Sequence, residues 1–268
     1  MMRWLRVYGG VLVTRMKSAA HFRANVIAWV LYSPLQVAVI YLLWKVIYGT
    51  THEVGGLRFQ EMVLYYLVVH FLGRAMLPLQ AVNYEVWSEI NKGKLDVYLA
   101  RPLGFGPFVF FRSLGAPTLE ICLGVPFFLL FSVLLRLPIQ TDPVVLAAFF
   151  FSGLLGAVVL FLIQFLIGTM TFWMERIFGV RDLVVSLFML FSGQLIPISA
   201  LPAPVARISR HLPFESIFFV PAMIYRRPQP DLEIAALIAQ QAIWAAVLWV
   251  AAAAVWTRGV ARYASQGG

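Results

Sequence analysis

The sequence predicts an all-α integral membrane protein with six transmembrane helices. Of its 268 residues, 61% are hydrophobic and only 12% are charged, whereas roughly a quarter of the residues in an ordinary soluble domain are charged. Three apolar stretches, residues 24–48, 147–173 and 234–256, reach the roughly 20 residues that a helix needs to cross a bilayer. No internal repeat and no linker rich in Ser, Gly and Pro divides the chain, so residues 1–268 are predicted to form one domain.

The six spans are placed by these stretches and by shorter apolar runs. They are predicted at residues 24–48, 62–82, 107–135, 143–173, 182–196 and 232–256. The N-terminal segment has no uninterrupted apolar core of the kind found in a removable signal peptide. We predict that it forms an amphipathic helix on the membrane surface, with Arg15, Lys17 and Arg23 facing lipid phosphates.

The Lys and Arg residues predict the orientation, because such residues are concentrated in cytoplasmic loops. Thirteen of the 21 lie on the side of the termini, seven lie on the other side, and Arg74 lies within a span. Both termini are therefore predicted to be cytoplasmic, with the chain in the cytoplasmic (inner) membrane. Four arginines on the predicted outer side are more than a short outer loop usually carries: Arg207, Arg210, Arg226 and Arg227.

Other function classes are disfavoured by what the chain lacks. The net charge of +9 would suit nucleic acid only if the basic residues clustered on one polar face, but they lie between apolar runs, where anionic lipid is the expected partner. In "NKGKL" a leucine follows the lysine, where a phosphate-binding loop requires Ser or Thr. With a single cysteine and four scattered histidines, a metal site is not expected. We predict no catalytic residue, cofactor or metal in this chain.

A few polar residues lie inside the predicted spans, where they need partners. His70 and Arg74 are four residues apart in span two, Glu120 lies in span three and Gln164 in span four. Counted from the cytoplasmic ends, Arg74 and Glu120 differ in depth by roughly 6 Å, which long side chains can bridge. An Arg74–Glu120 pair would either fix helix packing or belong to a substrate or proton path.

The loop after span five combines prolines with amphipathic turns. Five prolines lie between Pro197 and Pro221, too many for a straight span. Broken backbone at membrane depth must be buried in protein or border a cavity. We therefore predict a re-entrant segment in the outer leaflet, which would serve as an outer gate or exit path, with a surface-lying loop as the alternative.

The loop after span two reads "NKGKLDVYLARPL". It follows an amphipathic extension of span two with an apolar face of Val82, Val86, Trp87 and Ile90. Gly93 is placed to stop that helix in the left-handed conformation, and Pro102 to end a second, very short one. Because so short a helix is unstable alone, it must pack on lipid headgroups, on the bundle or on a partner protein.

Two motifs resemble those of a known family. "GKLDVYLARPL", and "FSGQLIPISALP" followed by "LPFESIFFVPAMIY", are similar to sequences in the permease subunits of type 2 ATP-binding-cassette exporters, close to a bacterial six-span branch. The resemblance implies a cytoplasmic coupling helix that contacts an ATPase subunit, predicted at Gly93, Lys94, Leu95, Asp96, Tyr98, Leu99, Arg101, Pro102 and Leu103. It also implies an outer re-entrant or gate segment at Ser192, Gly193, Pro197, Leu201, Pro202 and Pro213.

The resemblance further implies partners and a function. ATP and Mg²⁺ would bind a separate ATPase subunit, and a second permease copy or a sister chain would complete the pathway. The resemblance does not name the cargo, which we expect to be a hydrophobic, drug-like or lipid-like molecule. Leu95, Tyr98 and Leu99 are expected to fill a cleft on the ATPase, while Arg101 meets an acidic residue there; alternatively the segment is a lipid anchor that depends on its lysines. The competing function is a self-contained channel or ion-coupled carrier using Arg74, Glu120 and His70.

Overall fold

A computed structural model describes residues 9–11, 13–14, 23–100, 104–115 and 117–265, with only the backbone described for residues 23–30, 117–120 and 264–265. Every regular element in these ranges is helical apart from one isolated bridge between Val54 and Leu57. Of the predicted N-terminal amphipathic helix, residues 9–11 and 13–14 and the backbone of Arg23 are described, and these are helical. The rest of that prediction lies outside the described residues.

The helices are numbered here in chain order, beginning after the N-terminal segment. They are α1 (Arg23–Ile47), α2 (Phe59–Gln80), α3 (Val82–Asn91), α4 (Leu95–Leu99), α5 (Phe105–Gly115), α6 (Pro117–Leu134), α7 (Pro143–Thr169), α8 (Phe178–Phe191), α9 (Ala203–Ser209), α10 (Phe219–Tyr225) and α11 (Leu232–Ser265). Short 3₁₀ turns at Met170–Phe172, Ile198–Ala200 and Pro213–Ser216 join some of them.

Among the residues that the structure describes, three helices are long and apolar enough to cross a membrane. They are Phe59–Asn91, Pro143–Phe172 and Leu232–Tyr263, with 33, 30 and 32 residues. The described parts of α1 and α6 contain shorter apolar helices, Leu31–Ile47 and Ile121–Leu134. The prediction of an all-helical membrane protein is confirmed, whereas the count of six spans stays a prediction.

The bounds predicted for spans three and five differ from the structure. The sequence places span five at residues 182–196, but α8 occupies Phe178–Phe191, because the chain leaves the helix at Gly193, whose φ is +79°. Its 14 residues extend about 21 Å, short of the roughly 30 Å hydrocarbon core. Span three, predicted at 107–135, consists of α5 and α6, with Pro117 beginning the second helix as expected for a proline at a first turn.

Helix α7 is at the centre of the bundle and contacts α2, α3, α10 and α11. Glycines allow these close approaches. A Cβ on Gly168 would lie 2.6 Å from Cβ of Val86 in α3, and a Cβ on Gly156 would lie 2.8 Å from the Ser216 carbonyl oxygen. Such separations are well inside ordinary van der Waals contact, so larger residues at these positions would push α3 and the Pro213–Ser216 turn away from α7.

The two ends of the bundle carry different structures. One end carries α3, α4 and the start of α5, and we call it the α4 end. The opposite end carries the connections at residues 48–58, 135–142 and 226–231. There Arg226 lies 3.0 Å from Glu61 and Arg227 lies 2.9 Å from Asp231. Two of the four arginines that are unexpected on the predicted outer side are therefore ion-paired.

Candidate functional site

The short helix α4 packs on its own bundle at the α4 end. Gly93 has φ +65°, which confirms the predicted left-handed stop after α3. Leu95 is completely buried, and the Tyr98 ring contacts the Phe105 ring, with centroids 5.1 Å apart, and the Phe108 ring at 5.4 Å. The bundle is thus the surface that stabilises one face of α4.

This packing corrects the expected role of Leu95. Its side chain cannot enter a cleft on a partner, because it is 0% exposed within this chain. The exposed apolar residues of α4 are Val97, at 52%, and Leu99, at 42%. Asp96 is exposed and acts electrostatically on Tyr263 near the end of α11. Arg101, Pro102 and Leu103 lie outside the described residues.

An ion pair joins the two helices that flank α4. Glu85 in α3 pairs with Arg112 in α5, so the helix before α4 is joined to the helix after it. Their side chains are only 26% and 16% exposed, and the Arg112 guanidinium also lies over the Phe108 ring, 5.3 Å from its centroid. We did not predict this pair from the sequence, where the signal for it is the opposite charge of the two residues on either side of the motif.

Gln164, predicted as an intramembrane polar residue, pairs with Asn83. The Asn83 Nδ2 group donates to the Gln164 side-chain oxygen, and both residues are buried. Nearby, the Trp87 Nε1–H donates to the Glu175 carbonyl oxygen at 3.1 Å. Gln164 therefore fixes α3 against α7, and the predicted apolar face of α3 packs on the bundle.

The other intramembrane polar residues lie on α2 and α6. The charge of Arg74 acts on His70, and the buried His70 Nε2 has no hydrogen-bond partner among the described residues. A Cβ on Gly124 would meet Cδ2 of Phe71 at 2.9 Å. That contact sets the register of the two antiparallel helices, so Arg74 and Glu120 lie at depths within about 2 Å of each other. The Glu120 side chain is not described, and the Arg74–Glu120 pair stays a prediction.

The second motif forms a tight turn held by two tyrosines of α2. The Tyr65 hydroxyl donates to the Gly193 carbonyl at 2.6 Å, and the Tyr66 hydroxyl donates to the Leu195 carbonyl at 2.6 Å. A Cβ on Gly193 would overlap the Tyr65 hydroxyl oxygen and lie 2.9 Å from Cβ of Phe219. Ser192 is completely buried, and its carbonyl accepts from the Phe219 N–H at 3.0 Å.

The remaining motif prolines begin short helical turns. Pro197 precedes Ile198–Ala200, Pro202 precedes α9 and Pro213 begins Pro213–Ser216, as the fixed φ of proline favours. Leu201 ends the first of these turns. We refer to residues 192–225, which contain the predicted outer re-entrant segment, as the outer segment.

The outer segment reaches well into the bundle. The Gln241 Nε2 group of α11 donates to the Ser216 carbonyl at 2.7 Å and to the Ser152 carbonyl at 3.1 Å. Gln241 is nine residues into α11 and Gly156 is thirteen into α7, so these contacts lie about 14 to 20 Å along the helices. The turn at Pro213–Ser216 therefore lies inside the bundle, and its entry into a membrane leaflet stays a prediction.

No group of three or more His, Cys, Asp or Glu that could hold a metal occurs where the structure describes the chain.

The comparison with protein families covers most of the chain. No curated protein matches the chain. A model of the ABC-2 family transporter proteins matches residues 35–267, a range that contains both motifs and all three membrane-length helices. The chain therefore belongs to the ABC-2 transporter family, and it is a permease of the kind that ABC transporters embed in the membrane.

Proposed function

We propose that this chain is the permease subunit of an ATP-driven exporter and that α4 is its contact with a separate ATPase subunit. The observation that carries the proposal is the two-sided packing of α4. One side is fixed by Leu95 and Tyr98, and the other exposes Val97 and Leu99. A helix of five residues is unstable alone, and two apolar side chains exposed to water add no stabilising free energy to it. We therefore infer that a protein surface covers them.

If the ATPase moves α4, the contacts around α4 would transmit that movement to the other helices of the bundle. Tyr98 links it to α5 through Phe105, and Asp96 lies beside Tyr263 of α11. The Glu85–Arg112 pair joins α3 to α5. Since closely packed helices move as rigid bodies, a push on α4 would move α5 and α11 together.

The outer segment is proposed as the gate at the other end of the pathway. Helix α2 continues into α3, so one 33-residue helical run reaches from the α4 end to the level of the turn at Ser192–Pro197. Tyr65 and Tyr66 on that run hold the turn by hydrogen bonds. Motion of α2 would therefore act directly on the outer segment.

An aromatic cavity supports a hydrophobic cargo. It measures about 450 Å³ and lies between α5, α7 and α11, with Phe110, Phe161 and Trp249 among its lining residues. Its wall includes Phe105, which stacks on Trp256 with ring centroids 5.1 Å apart and contacts Tyr98 of α4 on another side. An apolar or lipid-like molecule in this cavity would touch the residue that supports α4.

A second permease is part of the proposal. Helix α1 has an outward apolar stripe of Leu31, Leu35, Val39, Leu42 and Val46, each at least 57% exposed. Such a stripe must be covered by lipid or by another membrane chain. A homodimer and a pair of sister permeases would both satisfy this requirement.

The coupling role predicts that apolar-to-charged changes on the exposed face of α4 separate the permease from its ATPase. We expect Val97→Asp and Leu99→Asp each to abolish co-purification of the cognate cassette ATPase, because each places a carboxylate in an apolar contact. Met174→Asp is the matched control, since Met174 is 43% exposed near the α4 end outside α4. Co-purification is measured by quantitative gel analysis from purified membranes.

A double variant distinguishes docking from a lipid anchor. Lys92→Gln combined with Lys94→Gln should keep the ATPase bound, whereas an anchor in anionic lipid would depend on these lysines. Loss of the ATPase in this double variant, with retention in Val97→Asp and Leu99→Asp, would show that the docking assignment is wrong.

A second prediction concerns topology. In a Cys122→Ser variant, single cysteines at Ala203 and at Arg226 should both react with a membrane-impermeant maleimide added from outside. The reason is that residues 203 and 226 lie on either side of a segment that enters the bundle and returns to the same end. Labelling of the two positions from opposite sides would show that the outer segment crosses the membrane.

The alternative function is an ion-coupled carrier. The observation in its favour is the buried Nε2 of His70 near Arg74. A carrier transports as a single gene product, whereas the proposed permease is inert without its ATPase. Transport into liposomes that contain only this chain would support the carrier.

A further inference from the structure

A second cavity lies within the outer segment, at the end of the bundle opposite α4. Its volume is about 450 Å³. Ile198, Leu201 and Phe219 form an apolar wall, and Ser199 adds a hydroxyl group. Unlike the aromatic cavity at the α4 end, this one is also lined by charged side chains, those of Arg207, Arg210 and Glu215.

The two arginines of this cavity are available to a ligand. Both are exposed, and neither has a carboxylate within salt-bridge distance among the residues that the structure describes. They differ in this respect from Arg226 and Arg227 at the same end, which are held by Glu61 and by Asp231. Arg207 lies in α9 and Arg210 directly follows it. Residues three apart on a helix are neighbours on its surface, so the two guanidinium groups are spaced to bind one oxyanion from two directions.

Glu215 sets the net charge of the cavity. It is only 4% exposed, and its Oε1 accepts a hydrogen bond of 2.6 Å from Gln240, which also donates to the Arg210 carbonyl at 3.1 Å. Burial raises the pKa of this carboxyl, and the hydrogen bond from Gln240 and the charges of Arg210 and His211 oppose the rise. When the Glu215 carboxylate is ionised, its negative charge and the two positive charges of the arginines give the cavity a net charge of about +1. This net charge matches a singly charged anion.

The position of the cavity favours a lipid over a soluble anion. Gln240 is eight residues into α11, about 12 Å along the helix from its start. The cavity therefore borders a helix that is long and apolar enough to cross a membrane. Between the two arginines in sequence, Ile208 is 56% exposed. An arginine pair beside an exposed isoleucine fits a phosphate group attached to an acyl chain.

We propose that this cavity binds the singly charged phosphodiester headgroup of a membrane phospholipid through Arg207 and Arg210. Glu215, held by Gln240, disfavours the more highly charged inorganic phosphate. The bound headgroup would lie against Phe219, which contacts the Gly193 turn. Lipid in this site would therefore stabilise the outer segment, whether or not the chain couples to an ATPase.

The test measures binding to the purified full chain in a phosphate-free maltoside detergent at about 0.15 M salt, where fields from distant charges are screened within about 8 Å. Binding of dihexanoyl phosphatidylglycerol and of inorganic phosphate is followed by ³¹P line broadening, and dihexanoylglycerol serves as a competitor that lacks phosphate. We expect Arg207→Gln with Arg210→Gln to weaken binding of the phospholipid at least about tenfold. The matched control is Lys45→Gln with Arg58→Gln, which removes the same charge from exposed residues at the same end and should change binding less than about twofold.

Glu215→Gln gives an independent outcome. It retains a side chain that can bond Gln240 but removes the negative charge, so inorganic phosphate should gain affinity relative to phosphatidylglycerol. Equal losses in the arginine and control variants would overturn the site. Displacement by dihexanoylglycerol would show that the acyl chains alone bind, and tighter binding of inorganic phosphate by the unmodified chain would overturn the assignment to lipid. Melting temperatures of all variants verify folding.

Discussion

Gly193→Ala is expected to destabilise the permease by about 2 to 5 kcal/mol. About 1 to 2 kcal/mol comes from placing a side chain at a left-handed backbone position, since φ is +79° at Gly193. A further 1 to 3 kcal/mol, approximately, comes from overpacking, because the new methyl group would overlap the Tyr65 hydroxyl oxygen. The measurement is the melting temperature of the purified chain in detergent, together with its yield in the membrane.

A matched control and a double variant separate the two causes. A Cβ on Gly179, in the neighbouring helix α8, would have no heavy atom within 4 Å, so Gly179→Ala should be neutral or stabilising. Tyr65→Phe alone loses the hydrogen bond to Gly193, but in the Gly193→Ala background it also removes the overlap. It should therefore cost less there than in the unmodified chain. Equal costs in the two backgrounds would contradict the proposed contact.

The second large effect is expected at the Glu85–Arg112 pair. Glu85→Gln or Arg112→Gln leaves one charge without its partner at a site where the side chains are 26% and 16% exposed. Removing one member of a fully buried pair costs about 3 to 5 kcal/mol, and the partial exposure lowers our expectation to about 1 to 3 kcal/mol. Because the pair joins the helices on both sides of α4, the proposed ATP-driven export should fall more than the yield of inserted protein.

Reversal of the charges is the decisive comparison. Glu85→Arg combined with Arg112→Glu should recover export lost in either single variant, since it restores an ion pair between α3 and α5. Arg181→Gln is the control, because Arg181 and Asp182 form an exposed pair worth about 0 to 1 kcal/mol. If the reversed pair exports no better than the single variants, the pairing does not connect α3 to α5 in the functional protein.

Local sequence predicted the backbone just before the first motif. Gly93 stops α3 because glycine tolerates positive φ, and the spacing of Val82, Val86 and Ile90 identified the buried face of α3. Composition and the length of the apolar runs indicated an all-helical membrane chain, since roughly 20 apolar residues form a helix that crosses a bilayer with its own backbone groups satisfied. These features depend on residues that are neighbours in sequence, so no knowledge of the tertiary structure was needed.

Other features were decided by contacts between distant parts of the chain. The spacing of Leu95, Tyr98 and Leu99 indicates that α4 has an apolar face, but it does not show whether the bundle or a partner covers it, and the bundle covers Leu95. The partner of Glu85 is 27 residues away, and that of Gly193 is Tyr65, 128 residues away. The end of α8 likewise follows from the turn that these long-range contacts hold. Sequence periodicity therefore determined which faces of this protein must be covered, and only the packing of helices in three dimensions decided what covers them.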